Sequence, residues 1–203
     1  MLEILTVCTG NVCRSPLAAQ LLTLRLADLG VTVASAGARA RARATMTPEA
    51  VALAVARGVP AELAEAHRAR YLTAGMLAGS GAAGRPDLVL AMAREHRREV
   101  VELDPTRART AFTAREFARL AADVTDDELR AAGAAAGDDP RARFAAALGV
   151  VAGRRGLVLP PAAPEDDDVI DPIGRSAATY ARSADELMPG IDAVERVVRA
   201  ALE

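Results

Sequence analysis

Five residues separate Cys8 from Arg14 in the run Val7-Cys8-Thr9-Gly10-Asn11-Val12-Cys13-Arg14-Ser15-Pro16. A loop closed at this spacing can hold a tetrahedral oxyanion, with sulfur below it and a guanidinium fork on two of its oxygens. The implied chemistry is attack by a cysteine thiolate on phosphorus. Thr9, Gly10, Asn11, Val12, Cys13, Arg14 and Ser15 form the candidate phosphate-binding loop. Their backbone N–H groups would converge because the loop joins a strand end to a helix N-terminus. Gly10 and Asn11 tolerate the left-handed backbone that such a tight loop needs. In an arginine-rich chain this spacing also arises by chance, as a buried Cys8 beside a solvated Arg14. Gly10, Asn11, Ser15 and Pro16 each have a mechanical reason to be present, which argues for the cradle. A nucleotide-binding loop of the Gly-Lys-Ser/Thr type is a poor alternative, since the chain has no lysine.

The elements needed to position this loop can be read on either side of it. Leu2 to Val7 is a mostly apolar run of strand length. Ser15 can cap the following helix and Pro16 suits its first turn, with Leu17 to Leu29 rich in Leu and Ala. Val31 to Ser35 reads as a second strand, and Pro48 opens a helix to about Arg57. Asp87 to Met92 is a third strand, followed by a polar helix from Glu95 to Leu103. Arg109 to Thr113 is a candidate fourth strand, with Phe117 in the next helix. This alternation predicts an α/β fold, a three-layer αβα sandwich around a four-stranded parallel sheet with the phosphate loop after the first strand. Ligands in such sheets sit beyond the strand C-termini, where Cys8 falls. Residues 123–164 are expected to be a helical insertion on the surface of one domain spanning 1–203. Residues 176–202 read as helix with a break at Pro189.

Composition narrows the class. A chain of 203 residues with 51% hydrophobic residues and net charge −2 can bury one core. It suggests neither disorder nor nucleic-acid binding. No apolar stretch reaches the roughly 18 residues a membrane span needs, and the N-terminus lacks a basic, cleavable leader. The expectation is a soluble cytoplasmic protein. Two cysteines in one loop make no secreted disulfide framework, and with two histidines they give no visible metal site. No cofactor, membrane or nucleic-acid partner is expected, and the oligomeric state is open.

The cradle, the strand–helix order and a late Asp-Pro together resemble the low-molecular-weight protein tyrosine phosphatase family. Weaker matching stretches are Ser35-Ala36-Gly37, His67-Arg68-Ala69-Arg70, Asp87 to Met92 and Val169-Ile170-Asp171-Pro172. The resemblance implies Cys8 as nucleophile and Arg14 as binder of the phosphoryl oxygens. It implies that Ser15 donates to the thiolate, and that Asn11 shapes the loop with help from Ser35 and His67. Asp171 would be the general acid. The chain also carries Asp104-Pro105 and Asp139-Pro140, but only Asp171-Pro172 follows an apolar pair and precedes the terminal helix. The implied substrate is a tyrosine-phosphorylated protein or a small aryl phosphate, hydrolysed through phosphocysteine. Cys13 is either a small buried residue at a helix start or a redox partner for Cys8.

This chain departs from the family where substrate is chosen. Family members line the pocket mouth with aromatics, whereas here Ala38-Arg39-Ala40-Arg41-Ala42-Arg43-Ala44 follows the second strand and Ile173-Gly174 follows Pro172. The arginine run is either a solvated loop or a site for anionic groups beside the phosphate. Two other functions share the scaffold. One is an arsenate reductase using a small-molecule thiol; the protein-disulfide version would need cysteines beyond Cys13. The other is a non-catalytic, oxyanion-binding regulatory module.

Overall fold

In the computed structural model, which describes residues 1–80 and 84–203, four parallel strands form one sheet in the order β2-β1-β3-β4. They are β1 (Glu3–Cys8), β2 (Thr32–Gly37), β3 (Leu88–Ala91) and β4 (Ala111–Thr113). β3 is buried along its whole length and β1 beyond Glu3, the continuous apolar pattern of strands covered on both faces. Alternate residues feed two cores. Ile4, Leu88, Leu90 and Phe112 join the larger cluster, while Leu5, Val7, Val89 and Ala111 join the smaller. The larger core lies under α1 (Arg14–Arg25), α2 (Pro48–Ala56), α3 (Ala61–Glu65) and helices of the C-terminal half. The smaller lies under α4 (Ala74–Ala78) and α5 (Arg94–Leu103).

β2 and β3 flank β1 on opposite sides. The chain therefore reverses its direction of winding at β1, and a crevice opens beyond that strand's C-terminal end. Cys8 ends β1 at that point.

The C-terminal half adds α6 (Ala114–Ala122), α7 (Asp126–Ala135), α8 (Pro140–Gly153) and α9 (Ala177–Leu202). Residues 123–164, expected on the surface, place Leu129, Phe144, Leu148 and Val151 in the larger core with Val194, Val197 and Val198 of α9. A Cβ on Gly133 of α7 would come within 2.5 Å of the Ala201 carbonyl of α9, so glycine sets their close approach. The expected break at Pro189 does not occur: α9 runs through it. A proline inside a helix costs about 3 kcal/mol; burial of Leu187, Ile191 and Val194 around it offsets that. The first helix also differs from expectation. It begins at Arg14, with Cys13 in the capping position, so Ser15 is not a cap and its hydroxyl is available elsewhere.

Candidate active site

The Cys8 sulfur is the focus of the loop. Sγ accepts from the Asn11 backbone N–H at 3.2 Å and from Ser15 Oγ at 3.0 Å. Freed from capping, the Ser15 hydroxyl faces the sulfur it was expected to serve. Thr6 Oγ1 donates to the Ser15 carbonyl at 2.8 Å, tying the first turn of α1 to β1.

Asn11 alone in the loop has a left-handed backbone, with φ 54°. Gly10, the other expected left-handed position, has none. Fully buried, Asn11 donates from Nδ2 to Ser15 Oγ at 3.0 Å and accepts at Oδ1 from the Arg70 amide at 2.9 Å. His67 Nε2 meets the Asn11 carbonyl at 2.8 Å, so this nitrogen carries the proton. Burial pulls the His67 pKa down, and the bond to Asn11 pulls the other way. Ser35 makes no hydrogen bond to Asn11 among the described residues. The strand register explains why: Ser35 pairs with Thr6 whereas Gly37 pairs with Cys8, so Ser35 sits two residues, roughly 7 Å, below the loop. Gly37 is the residue that abuts it. A Cβ there would lie 2.7 Å from the Thr9 carbonyl and 2.8 Å from the Asn11 nitrogen.

Arg14 is 5% exposed. Nη1 donates to the Val169 carbonyl at 3.0 Å; Nη2 donates to Thr9 Oγ1 at 3.2 Å and to Asp171 Oδ2 at 2.6 Å. The Asp171 strap is anchored on both sides. The Val169 N–H donates to the Met92 carbonyl at 2.8 Å, and Ser183 Oγ donates to the Ile170 carbonyl at 2.8 Å. Asp168 accepts from the Arg94 amide at 2.7 Å, at the start of α5. The other two Asp-Pro pairs serve as helix starts: Asp104 accepts from the Thr106 amide and Asp139 from the Arg141 and Ala142 amides. Only Asp171 reaches the cradle.

Cys13 is buried in the larger apolar core, and burial, followed by the charge of a Cys8 thiolate, pushes its pKa up to about 12. His96 was not singled out from the sequence. It sits 1% exposed near the start of α5, with Nε2 2.9 Å from Thr9 Oγ1. The available signal was its place just past the C-terminal end of β3, where this fold gathers its site. Of the aromatics only Tyr71 is exposed, at 55%; it directly follows Arg70 and pairs with Gly37.

The site can hold a phosphoryl group over a thiol, with a cation and a carboxyl group beside it, and comparison with known proteins agrees. Residues 3–130 match the family model described as low molecular weight phosphotyrosine protein phosphatase. The low molecular weight protein-tyrosine-phosphatase Etp of Escherichia coli (strain K12) is 41% identical over 103 residues, 51% of this chain. That match spans 62% of the relative's own length. The solved low molecular weight protein tyrosine phosphatase from T. tengcongensis is 29% identical, with TM-score 0.62 over 96% of this chain and 97% of the other. The YwlE arginine phosphatase from Geobacillus stearothermophilus is 25% identical, with TM-score 0.63 over 96% and 91%. With a model match over more than half of its residues and a cradle built on Cys8, Arg14 and Ser15, this chain belongs to the low molecular weight phosphotyrosine protein phosphatase family.

Proposed function

We propose that the protein hydrolyses phosphomonoesters, phosphotyrosyl proteins foremost, through a phosphocysteine on Cys8. The observation that carries this reading is the convergence of Ser15 Oγ and the Asn11 amide on Cys8 Sγ, with Arg14 and Asp171 in contact beside them. Both donors are placed to hold the sulfur when it leaves phosphorus. In the first step Sγ bonds to phosphorus as the ester oxygen leaves, taking its proton from Asp171. In the second step the Asp171 carboxylate takes a proton from water, whose oxygen attacks phosphorus. The P–S bond breaks, phosphate leaves, and the thiolate returns to the Ser15 and Asn11 donors. Arg14 and the loop amides carry the charge on the equatorial oxygens. Asn11 and His67 hold the loop's shape.

The chain has no cysteine after Cys13, which disfavours arsenate reduction through a protein disulfide. Among the described residues no helix is long and apolar enough to cross a membrane. Two cysteines, both free, suit a reducing cytoplasm. The deciding measurement is a steady-state comparison of phosphotyrosine, phosphoserine, phosphoarginine and arsenate with added thiol. Phosphotyrosine is expected to turn over best, and not at all in Cys8→Ser. Preference for phosphoarginine would change the substrate class, and preference for arsenate would change the reaction. Phosphate binding without turnover of any substrate would make the cradle a non-catalytic module.

A further inference from the structure

Thr9 Oγ1 stands between two side chains from different parts of the chain. Arg14 Nη2 lies 3.2 Å away on one side and His96 Nε2 2.9 Å away on the other. A hydroxyl has one proton and two lone pairs. Arg14 can only donate, so it takes one lone pair. The His96 ring takes a second bonding direction, accepting the O–H or donating to the other lone pair. Both Thr9 contacts are fixed at their far ends: Arg14 Nη1 is held by the Val169 carbonyl, and His96 is 1% exposed near the start of α5.

From this geometry, and resting on the phosphatase reading, we propose that His96 is a positioning residue that sets the orientation of the Arg14 guanidinium through the Thr9 hydroxyl. Three observations support it. Among the described residues Arg14 has only the Val169 carbonyl, Thr9 Oγ1 and Asp171 as acceptors, and a bound phosphate would compete for Asp171's place. Val169 and Thr9 then remain to keep the fork in plane, and a fork binds two phosphoryl oxygens only when correctly aimed. Burial, followed by the Arg14 charge, pulls the His96 pKa down to about 4, so near neutrality the ring is uncharged and does not repel Arg14. Finally, Nδ1 of His96 is buried with no hydrogen-bond partner among the described residues. An unpaired buried polar atom is costly, and an apolar side chain would fill the site without that cost. A histidine here makes sense only if Nε2 has work to do. His96 touches no reacting atom, so its influence reaches phosphorus only through Thr9 and Arg14.

The test compares His96→Asn, His96→Gln, Thr9→Val and Thr9→Val/His96→Asn with the wild-type chain. A glutamine amide reaches the position of Nε2, whereas an asparagine amide stops near Nδ1. The readouts are kcat and KM on a small aryl phosphate, and the Kd for inorganic phosphate by calorimetry. Loss of a hydrogen bond in a charged network predicts that His96→Asn loses about tenfold in kcat, while His96→Gln stays within about twofold. Phosphate affinity should follow the same order, and the double variant should be no worse than Thr9→Val alone. His96→Phe, which fills the site without the bond, should match His96→Asn and replaces it if His96→Asn does not fold. Equal kcat and phosphate Kd for the Gln variant and the non-reaching variant would overturn the proposal. So would a double variant whose loss is the product of the single losses. If wild type fails to turn over aryl phosphate, the phosphatase reading falls, and the phosphate affinities still decide the His96–Thr9–Arg14 coupling.

Discussion

Asp171 Oδ2 lies 2.6 Å from Arg14 Nη2, while Asp171 Oδ1 accepts the Ile173 amide at 3.1 Å. The carboxylate is thus held by its own turn and by the cation proposed to bind the phosphoryl group. An incoming phosphate competes for the same guanidinium nitrogen and would turn the carboxyl group toward the leaving oxygen. Asp171→Asn is therefore expected to lower kcat on aryl phosphates by about 10²–10⁴-fold. It should also tighten inorganic phosphate binding, because the competing charge is gone. Asp104→Asn and Asp139→Asn should leave kcat unchanged; Asp139→Asn should cost at most about 1 kcal/mol of stability as an altered cap, and Asp104→Asn more, because Asp104 also pairs with the buried Arg107 at 3.1 Å. Unchanged kcat in Asp171→Asn would remove the acid assignment.

The two cysteines should separate cleanly. Donors converge on the Cys8 sulfur, whereas Cys13 is buried among apolar residues with its pKa pushed up to about 12. Iodoacetamide at neutral pH should modify Cys8 alone in the folded protein and reach Cys13 only after unfolding, as read by peptide mass spectrometry. Cys13→Ser should keep most activity under reducing conditions, and Cys8→Ser should fall by roughly 10⁴-fold or more. Equal alkylation of both thiols in the folded state would contradict this.

Much of the site was legible because its core lies within a few residues of sequence. Cys8, Asn11, Arg14 and Ser15 share one strand–loop–helix unit, and local backbone rules are enough to recognise it. Asp171 needed more: its apolar neighbours and its place before the terminal helix set it apart from the other two Asp-Pro pairs, but its contact with Arg14, 157 residues away, is a product of tertiary packing. Ser35 was misplaced because the pairing register, Thr6 with Ser35 and Cys8 with Gly37, is not written in the local pattern. His96 carries no local signal of its contact, because its partner, Thr9, is 87 residues away. Pro189 signals a break by local preference, but the buried face of α9 overrides it.

Acid should weaken the fold through His96. Its folded-state pKa is about 4, against about 6.5 for an ordinary histidine. Between these values the unfolded chain binds a proton that the folded protein does not. Stability is therefore full above about pH 6.5 and declines as pH falls toward 4, by up to about 3 kcal/mol. Burial opposes protonation most strongly, Arg14 and Arg39 oppose it too, and Asp171 and Asp168 favour it. Glu95 Oε1 is 3.4 Å from the ring. Urea unfolding across this range should give a shallower pH dependence in His96→Gln than in wild type. Parallel curves would mean that the ring protonates equally in both states.

The arginine run borders the cradle directly. The Ala38 amide donates to the Cys8 carbonyl at 2.9 Å and the Arg39 amide to the Thr9 carbonyl at 2.8 Å. The Arg43 amide donates to the Ala69 carbonyl, and the Ala69 amide to Ala44, each at 2.8 Å. These bonds join the run to the Arg68-Ala69-Arg70 loop, so Arg39, Arg41, Arg43, Arg68 and Arg70 are exposed on two connected loops beside the Cys8–Arg14 loop. Arg39 already pairs with Glu99, at 3.4 Å, a length that an exposed pair exchanges readily. Acidic residues flanking a phosphosite should therefore raise kcat/KM, by about tenfold at most at low salt, since each exposed ion pair contributes little. Rising ionic strength should screen the advantage, and an Arg39→Ala/Arg41→Ala/Arg43→Ala variant should lose most of it while keeping its rate on a small aryl phosphate. The measurement is kcat/KM for matched acidic and neutral phosphopeptides across a salt series in both proteins. An acidic advantage that neither salt nor the triple variant reduces would arise elsewhere, and no advantage at all would leave the arginines as a solvated loop.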